Sequence, residues 1–148
     1  AADLLKQEFG IDADVWSCPS FTELARDGED ALRHNRFHPE ANQKRLPYVT
    51  QLLQGRAGPA IAATDYVRTF ANQIREFVPM RYVVLGTDGF GRSDTRANLR
   101  RHFEVDRYHV AQAAVHALAE DGQLTAKDVA KAIQVWNIVA DKPNPLTV

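Results

Sequence analysis

The chain has 148 residues and a formal net charge of -1, from 18 basic and 19 acidic side chains. This length suits one domain with an adequate core, and the balanced charge argues against nucleic acid or an anionic membrane as a partner. Hydrophobic residues make up 45% of the chain, yet no apolar run approaches the roughly 20 residues that a membrane-spanning helix needs.

The first twenty residues predict a helix followed by a strand. Apolar residues recur at helical spacing over residues 1–9, and Gly10 ends the helix. The run DVWSC at 14–18 is typical of a short strand, in which Trp16 is expected to anchor the core. Cys18 is the only cysteine and cannot form an internal disulfide. We interpret it as a small buried residue in a reducing, cytoplasmic compartment.

The next segments predict two helices and a buried strand. A capping box, SFTE at 20–23, opens the second helix. Residues 36–46 are polar and predict a surface loop, and residues 47–54 predict a short third helix. The run PAIAA at 59–63 is fully apolar, which is typical of a central strand in a parallel sheet.

A long amphipathic helix is predicted between this strand and the next. Its cap is Thr64 or Asp65, and Pro79 ends it. Its expected buried stripe consists of Val67, Phe70, Ala71, Ile74, Phe77 and Val78.

The remainder of the chain predicts one strand and then three helices. The strand covers 82–86, and the helices follow at 95–103, 106–121 and 126–136. Trp136 is expected to lie in the core. The tail at 141–148 contains two prolines and no periodicity, so we place the domain at 1–140 and the tail outside it.

This order of elements predicts an α/β fold, a three-layer sandwich in which a small, mostly parallel sheet is flanked by helices. The chain opens with a helix that no strand precedes. We therefore expect it to be a fragment of a longer polypeptide that lacks the first strand of its sheet.

The most informative segment is YVVLGTDGFGRSDTR at 82–96, where an apolar strand leads through three glycines into a helix. Glycines permit a sharp turn, and Ser93 or Asp94 is expected to cap the helix. Such a turn can cradle an anion, but this one lacks the Lys of a P-loop and the last Gly of the dinucleotide fingerprint. A helix-entry turn is favoured over a domain or subunit contact, and both are favoured over a phosphate site.

Several motifs in the same order resemble one known family. TDGFGRSDTR with FEVDRY, preceded by DVWS, SFTELARDG and ATDY, resembles the C-terminal domain of the transketolase superfamily. In particular, the chain resembles the homodimeric, bacterial type of pyruvate dehydrogenase first component. The resemblance covers nearly the whole chain and implies a transketolase C-terminal domain-like fold.

The resemblance also implies a function for the parent protein. Enzymes of this type use thiamine diphosphate and Mg²⁺, release carbon dioxide from pyruvate and pass the acetyl unit to a lipoyl group on dihydrolipoyl acetyltransferase. Their cofactor lies between two earlier domains of opposing subunits, so no catalytic, cofactor-binding or metal-binding residue is carried over to this chain. The implied role is a structural domain that is inactive alone and contacts the other domains and the second subunit of a homodimer. The alternative is a freestanding α/β module that binds an anion or a metabolite.

Four residues are candidates for the domain or subunit contact: Asp88, Phe90, Arg92 and Arg96. Phe90 is a large apolar side chain between two glycines, which suits the anchor of a contact. Arg92 and Arg96 lie four residues apart, at helical spacing. A solvated face, pairing with acidic groups of another subunit and a phosphate site all stay open for these arginines.

The histidines indicate no catalytic or metal centre. His34 and His38 have the spacing of two metal ligands on a helix, but no third ligand is evident and a solvated pair is favoured. The predicted core stripe of the helix at 106–121 consists of Val110, Ala114, Ala117 and Leu118. His109 and His116 are expected to flank this stripe rather than to act as general bases.

Overall fold

Seven helices surround a two-stranded parallel sheet in the computed structural model, which describes residues 1–148. The helices are α1 (Ala2–Phe9), α2 (Phe21–Phe37), α3 (Tyr48–Leu53), α4 (Arg68–Asn72), α5 (Arg96–His102), α6 (Arg107–Glu120) and α7 (Ala126–Val135). The strands are β1 (Ala60–Ala63) and β2 (Tyr82–Leu85), with Ala60 opposite Tyr82. The predicted α/β class with a small parallel sheet is confirmed. None of the seven helices has both the length and the apolar composition that crossing a bilayer requires.

Two clusters of buried side chains hold the helices to the sheet and to each other. The first cluster joins α2, α3 and the α4 region to the strands and consists of Ala25, Val49, Ala71, Ile74, Phe77, Val78, Tyr82 and Val84. Helix α6 contacts both strands and carries the second cluster, which joins it to α1 and α7. This cluster consists of Leu5, Ala111, Val115, Ala132 and Trp136. Helices, sheet and helices therefore form successive layers.

Tyr82 shows how the first cluster fixes β2. Its hydroxyl donates a hydrogen bond of 2.9 Å to the carbonyl of Ala71 in α4, so the one polar atom of this buried ring is satisfied. Burial raises the pKa of Tyr82 to about 12. The strand is thereby tied to the helix that precedes it.

Helix α6 is buried on more sides than its sequence predicts. His109, Ala111, Ala113 and Val115 are all buried, whereas Val110 and Ala114 from the expected stripe are only partly so. Because α6 packs against the strands as well as α1 and α7, small side chains on several of its faces are covered.

Residues 14–18 form no strand, so that prediction is wrong. Val15 and Trp16 are 83% and 50% exposed, and Trp16 is therefore no core anchor. The guanidinium of Arg56 lies 5.0 Å from the Trp16 ring centroid and pairs with Asp14 at 2.7 Å. A strand needs a neighbour for its backbone groups, and in this chain β1 and β2 pair only with each other.

Cys18 and Trp136 were both predicted to be buried, and only Trp136 is. Trp136 is 5% exposed and packs edge-to-face against Phe9 at 5.7 Å between ring centroids, so its core position is confirmed. Cys18 is only partly buried, and that burial raises the pKa of its thiol.

The predicted helix over 65–78 is wrong in its extent. Helix α4 covers only Arg68–Asn72, no side chain caps it, and a separate 3₁₀ turn follows at Arg75–Phe77. The preceding loop is held out of the helix because Thr87 donates hydrogen bonds to two of its carbonyls, those of Asp65 and Tyr66. Contacts made across the fold thus override the local helical pattern.

Shortening of this helix also changes which of its side chains are buried. Ala71, Ile74, Phe77 and Val78 are buried as predicted, whereas Val67 and Phe70 are 42% and 45% exposed. Tyr66, just before the helix, is exposed as well and lies edge-to-face with Phe70 at 6.0 Å between ring centroids. The result is a small exposed apolar surface beside the carboxyl end of β1.

Candidate functional site

The carboxyl ends of β1 and β2 open onto a groove of about 510 Å³. Because the strands are parallel, the segments that follow them leave the sheet at the same edge. These segments are residues 64–67 after β1 and the glycine turn, residues 86–94, after β2. The groove is lined by Asp65, Thr87, Gly89, Phe90, Gly91, Arg92, Asp94, Arg96, Leu99, Arg100 and Phe103.

The glycine turn is bonded directly to the loop that follows β1. The Thr87 N–H donates to the carbonyl of Tyr66 at 2.9 Å, and the Thr87 hydroxyl donates to the carbonyl of Asp65 at 2.8 Å. At Gly86 a Cβ would lie 2.7 Å from the Tyr66 carbonyl oxygen, so this close approach requires glycine. The two loops therefore form one unit at the sheet edge.

Asp88 completes this connection within the domain. Its carboxylate accepts hydrogen bonds from the backbone N–H and the Nε of Arg68, at 3.1 and 2.8 Å. The side chain of Asp88 is only 21% exposed. Of the four candidate contact residues, Asp88 is thus the one whose side chain is already engaged, and it positions the turn.

Phe90, Arg92 and Arg96 are brought together at the groove and point to solvent. Phe90 is 72% exposed, a large apolar area for a single side chain. Arg92 and Arg96 are exposed and form no ion pair within the chain, unlike their neighbour Arg100, which pairs with Asp65 at 2.8 Å. Their charge is therefore open to a partner outside the domain.

The predicted helix cap after the glycine turn is wrong by one or two residues. Thr95 is the N-cap of α5, and its hydroxyl accepts the N–H of Asn98 at 3.3 Å. Asp94 instead accepts the side-chain amide of Asn98 at 2.8 Å and the N–H of Thr95. These hydrogen bonds to the carboxylate, the one from the Asn98 side chain foremost, lower the pKa of Asp94.

The sequence patterns did not reveal one ion pair in the groove and one exposed aromatic pair beside it. The Asp65–Arg100 pair crosses from one loop to α5, and no spacing rule links residues so far apart in the chain. Phe70 was missed because its position fits the predicted buried stripe, and Tyr66 because it falls inside the predicted helix. Tyr66 in ATDY, directly after the predicted strand, was the available signal.

A second polar cluster lies behind the groove, where α5, α6 and α7 meet. Asp106 caps α6, accepting the N–H groups of Tyr108 and His109 and the Nδ1 of His109 at 2.7 Å. Arg101 donates to Asp106 and to the carbonyls of Trp136 and Asn137 at the end of α7. These hydrogen bonds link α5, α6 and the end of α7, so the cluster stabilises the fold.

The expectation that His109 and His116 flank a core stripe is wrong for His109. His109 is buried, with its ring nitrogen bonded to Asp106, while His116 is exposed. His34 and His38 stack at 4.2 Å between ring centroids, and the Nδ1 of His38 bonds to the carbonyl of His34. No group of three or more His, Cys, Asp or Glu side chains is placed to hold a metal ion.

Comparison with known proteins supports the resemblance that the motifs of the glycine turn indicate. Residues 1–106 match the family described as the transketolase-like TK C-terminal domain. The chain is 57% identical over 148 residues to the pyruvate dehydrogenase E1 component of Cupriavidus necator, covering 100% of this chain and 16% of that protein. It is 55% identical over 147 residues to the same component of Pseudomonas aeruginosa, covering 99% and 17%. With the Escherichia coli component the identity is 52% over 146 residues, covering 98% and 16%.

The chain thus spans about one sixth of the length of these curated relatives. The alternative of a freestanding anion- or metabolite-binding module is not supported, because nearly the whole chain aligns with part of much longer proteins. The resemblance inferred from the sequence is confirmed, and the chain belongs to the transketolase-like C-terminal domain family.

Proposed function

We propose that this chain is a non-catalytic structural domain of a thiamine-diphosphate-dependent pyruvate dehydrogenase, and that its groove is a contact surface for a neighbouring domain or the second subunit of a homodimer. The relatives named pyruvate dehydrogenase E1 component support the first part. The observation that carries the second part is the exposed Phe90 on a turn that Asp88 links to Arg68.

The composition of the groove supports a protein partner. Interfaces are enriched in aromatic residues and arginine, and their binding energy is concentrated in a few such side chains. Phe90 supplies an exposed aromatic ring, and Tyr66 and Phe70 add two more at the same edge of the sheet. Arg92 and Arg96 have no acidic partner in the chain and suit carboxylates on the facing surface.

The chemistry of the whole enzyme is placed outside this chain. The resemblance implies that thiamine diphosphate and Mg²⁺ lie between two earlier domains, and none of the family's cofactor-binding residues is carried over to this chain. The cofactor supplies the nucleophile for decarboxylation when bound, and the protein orients it. The complete protein would release carbon dioxide from pyruvate and transfer the acetyl unit to the lipoyl group of dihydrolipoyl acetyltransferase, in the cytoplasm.

Replacing Phe90 with Ala in the full-length protein is expected to weaken dimerisation by about 2 kcal/mol, roughly a thirtyfold rise in the dissociation constant. The reason is the loss of a buried anchor from the subunit contact. Analytical ultracentrifugation across a dilution series measures the constant, beside rates of pyruvate turnover on the same samples. Phe37→Ala is the matched control, since Phe37 is also exposed but lies at the far end of α2.

The rate should fall chiefly at low protein concentration, and Arg92→Ala should have a smaller effect because rim charges contribute little. A dimer constant equal to that of Phe37→Ala would contradict the subunit contact. A rate lowered at every concentration with an unchanged constant would place Phe90 near the reaction instead.

A second test addresses the cofactor. In the full-length protein, the double variant Arg92→Ala, Arg96→Ala is expected to bind thiamine diphosphate and Mg²⁺ as tightly as the unchanged protein at concentrations where both are dimeric. Isothermal titration calorimetry with the cofactor measures this affinity. A weaker affinity confined to the double variant would show that the groove holds the diphosphate, contrary to our assignment.

A further inference from the structure

The tail at 141–148 contacts the domain on both sides of α5, after its last residue and before its first. At the end of α5, the Lys142 ammonium donates to the carbonyl of His102 at 2.7 Å and pairs with Glu104 at 3.0 Å. The Lys142 side chain is only 22% exposed, so this contact is partly shielded from water. Pro145 is buried, the only residue after Trp136 that is. The tail is therefore docked on the domain.

Before α5, the tail touches the backbone of the glycine turn. Gly89 has a φ of 111°, a left-handed value that L side chains rarely adopt. A Cβ at Gly89 would overlap the Pro145 carbonyl oxygen and lie 3.0 Å from its carbonyl carbon. By contrast, a Cβ at Gly91, two residues later, would meet open space. The tail thus crosses the turn at a point that only glycine allows.

The segment that carries the groove contributes nothing to the buried core. Between Val84 and Val105 no residue is buried, and α5 has no buried residue at all. The segment is held by polar contacts such as Asp88 with Arg68, and by the tail. Segments with few buried apolar contacts open at low free energy, so each contact that holds this one matters.

We propose that the tail is a strap that holds the glycine turn and α5 in place, and that its release loosens the walls of the groove. Lys142 binds the end of α5 through His102 and Glu104, and Pro145 packs against Gly89 in the turn before α5. The tail therefore contacts residues 86–104 near both ends of that segment. This inference goes beyond the proposed function, because it concerns how the groove is held and does not depend on what occupies it.

Hydrogen–deuterium exchange with mass spectrometry on the full-length protein tests the strap. The variants are deletion of residues 142–148 and Gly89→Ala, with Gly91→Ala as the matched control. In the first two, amides of residues 86–104 should exchange about tenfold faster because local opening becomes easier, while amides of β1 and β2 stay unchanged. In Gly91→Ala, exchange over residues 86–104 should stay as in the unchanged protein.

Two results would overturn the strap. Unchanged exchange after deletion of the tail would show that the groove holds its shape without it, even if Gly89→Ala alone were faster through strain at its positive φ. Equally fast exchange in Gly91→Ala would show a general sensitivity of the turn. The measurement is local and is made where the protein is dimeric, so it can succeed when the Phe90 test fails, and the reverse.

Discussion

Replacing Phe77 with Ala should lower the free energy of unfolding by about 3–5 kcal/mol, the usual cost of removing a buried Phe. Phe77 is 4% exposed and belongs to the cluster that joins α2, α3 and α4 to the strands. Its ring is packed against the backbone of Gly28 in α2. Urea denaturation followed by circular dichroism measures the change. A loss below about 1 kcal/mol would mean that the cluster is loosely packed around this ring.

The same contact predicts an unusual sign for Gly28→Ala. Within a helix this substitution normally stabilises by about 0.5–1 kcal/mol. Here the new Cβ would lie 2.6 Å from the Phe77 Cζ, so we expect a net loss of about 1–3 kcal/mol from overpacking. The double variant Gly28→Ala, Phe77→Leu relieves the clash. Its loss of unfolding free energy should be smaller than the sum of the losses measured for Gly28→Ala alone and Phe77→Leu alone. A stabilised Gly28→Ala variant would contradict the close packing of α2.

Replacing Asp106 with Ala should lower the free energy of unfolding by about 2–3 kcal/mol. The substitution removes the N-cap of α6 and leaves charged and backbone donors without an acceptor. Two backbone N–H groups, the His109 ring and Arg101 all lose an acceptor. The Asp106 side chain is only 15% exposed, so water replaces these bonds poorly. Asp106→Asn keeps an acceptor for the cap and should lose less. Equal losses in the two variants would show that the cap contributes nothing.

The charge of Asp106 also predicts a pH dependence. Burial opposes its ionisation, but hydrogen bonds from the His109 N–H and ring and from Arg101 outweigh burial, so the pKa of Asp106 lies below its usual value. The folded state therefore binds this proton less readily than the unfolded state. The resulting stability is present above the ordinary carboxyl pKa and is lost as the pH falls through the lowered one.

Urea denaturation at a series of acidic pH values measures this dependence. Asp106→Asn cannot ionise at this position, so its stability should fall less steeply with acidification than that of the unchanged protein. Parallel curves for the two proteins would show that another group causes the acid sensitivity.

Elements set by local sequence were predictable, and those set by distant contacts were not. The strand predicted at 82–86 and the helix at 126–136 match β2 and α7 to within a residue, because apolar runs, a capping box and periodicity lie within a few residues. Residues 14–18 have the composition of a strand, but a strand forms only where a neighbour offers its backbone. Residues 64–67 have the pattern of a helix, but Thr87 binds their carbonyls.

The candidate site divides in the same way. Phe90, Arg92 and Arg96 follow from the glycine turn itself, since a turn that ends a strand of a parallel sheet presents its side chains at the sheet edge. By contrast, Arg68 donates to Asp88, and Pro145 packs against Gly89, only because distant segments of the chain meet in the folded state. No single-sequence pattern contains that information.

The packing of α1 has a consequence for the order in which the protein folds during synthesis. Leu5 lies in one cluster with Val115 and Trp136, and the Lys131 ammonium donates to the carbonyl of Glu8 at 2.8 Å. Helix α1 therefore leaves the ribosome before its partners in this cluster, which lie in and after α6 and α7. The cluster around the sheet draws only on residues 25–84 and can form earlier. Vectorial synthesis thus favours a nascent chain that completes the sheet first and closes by joining its first helix to its last.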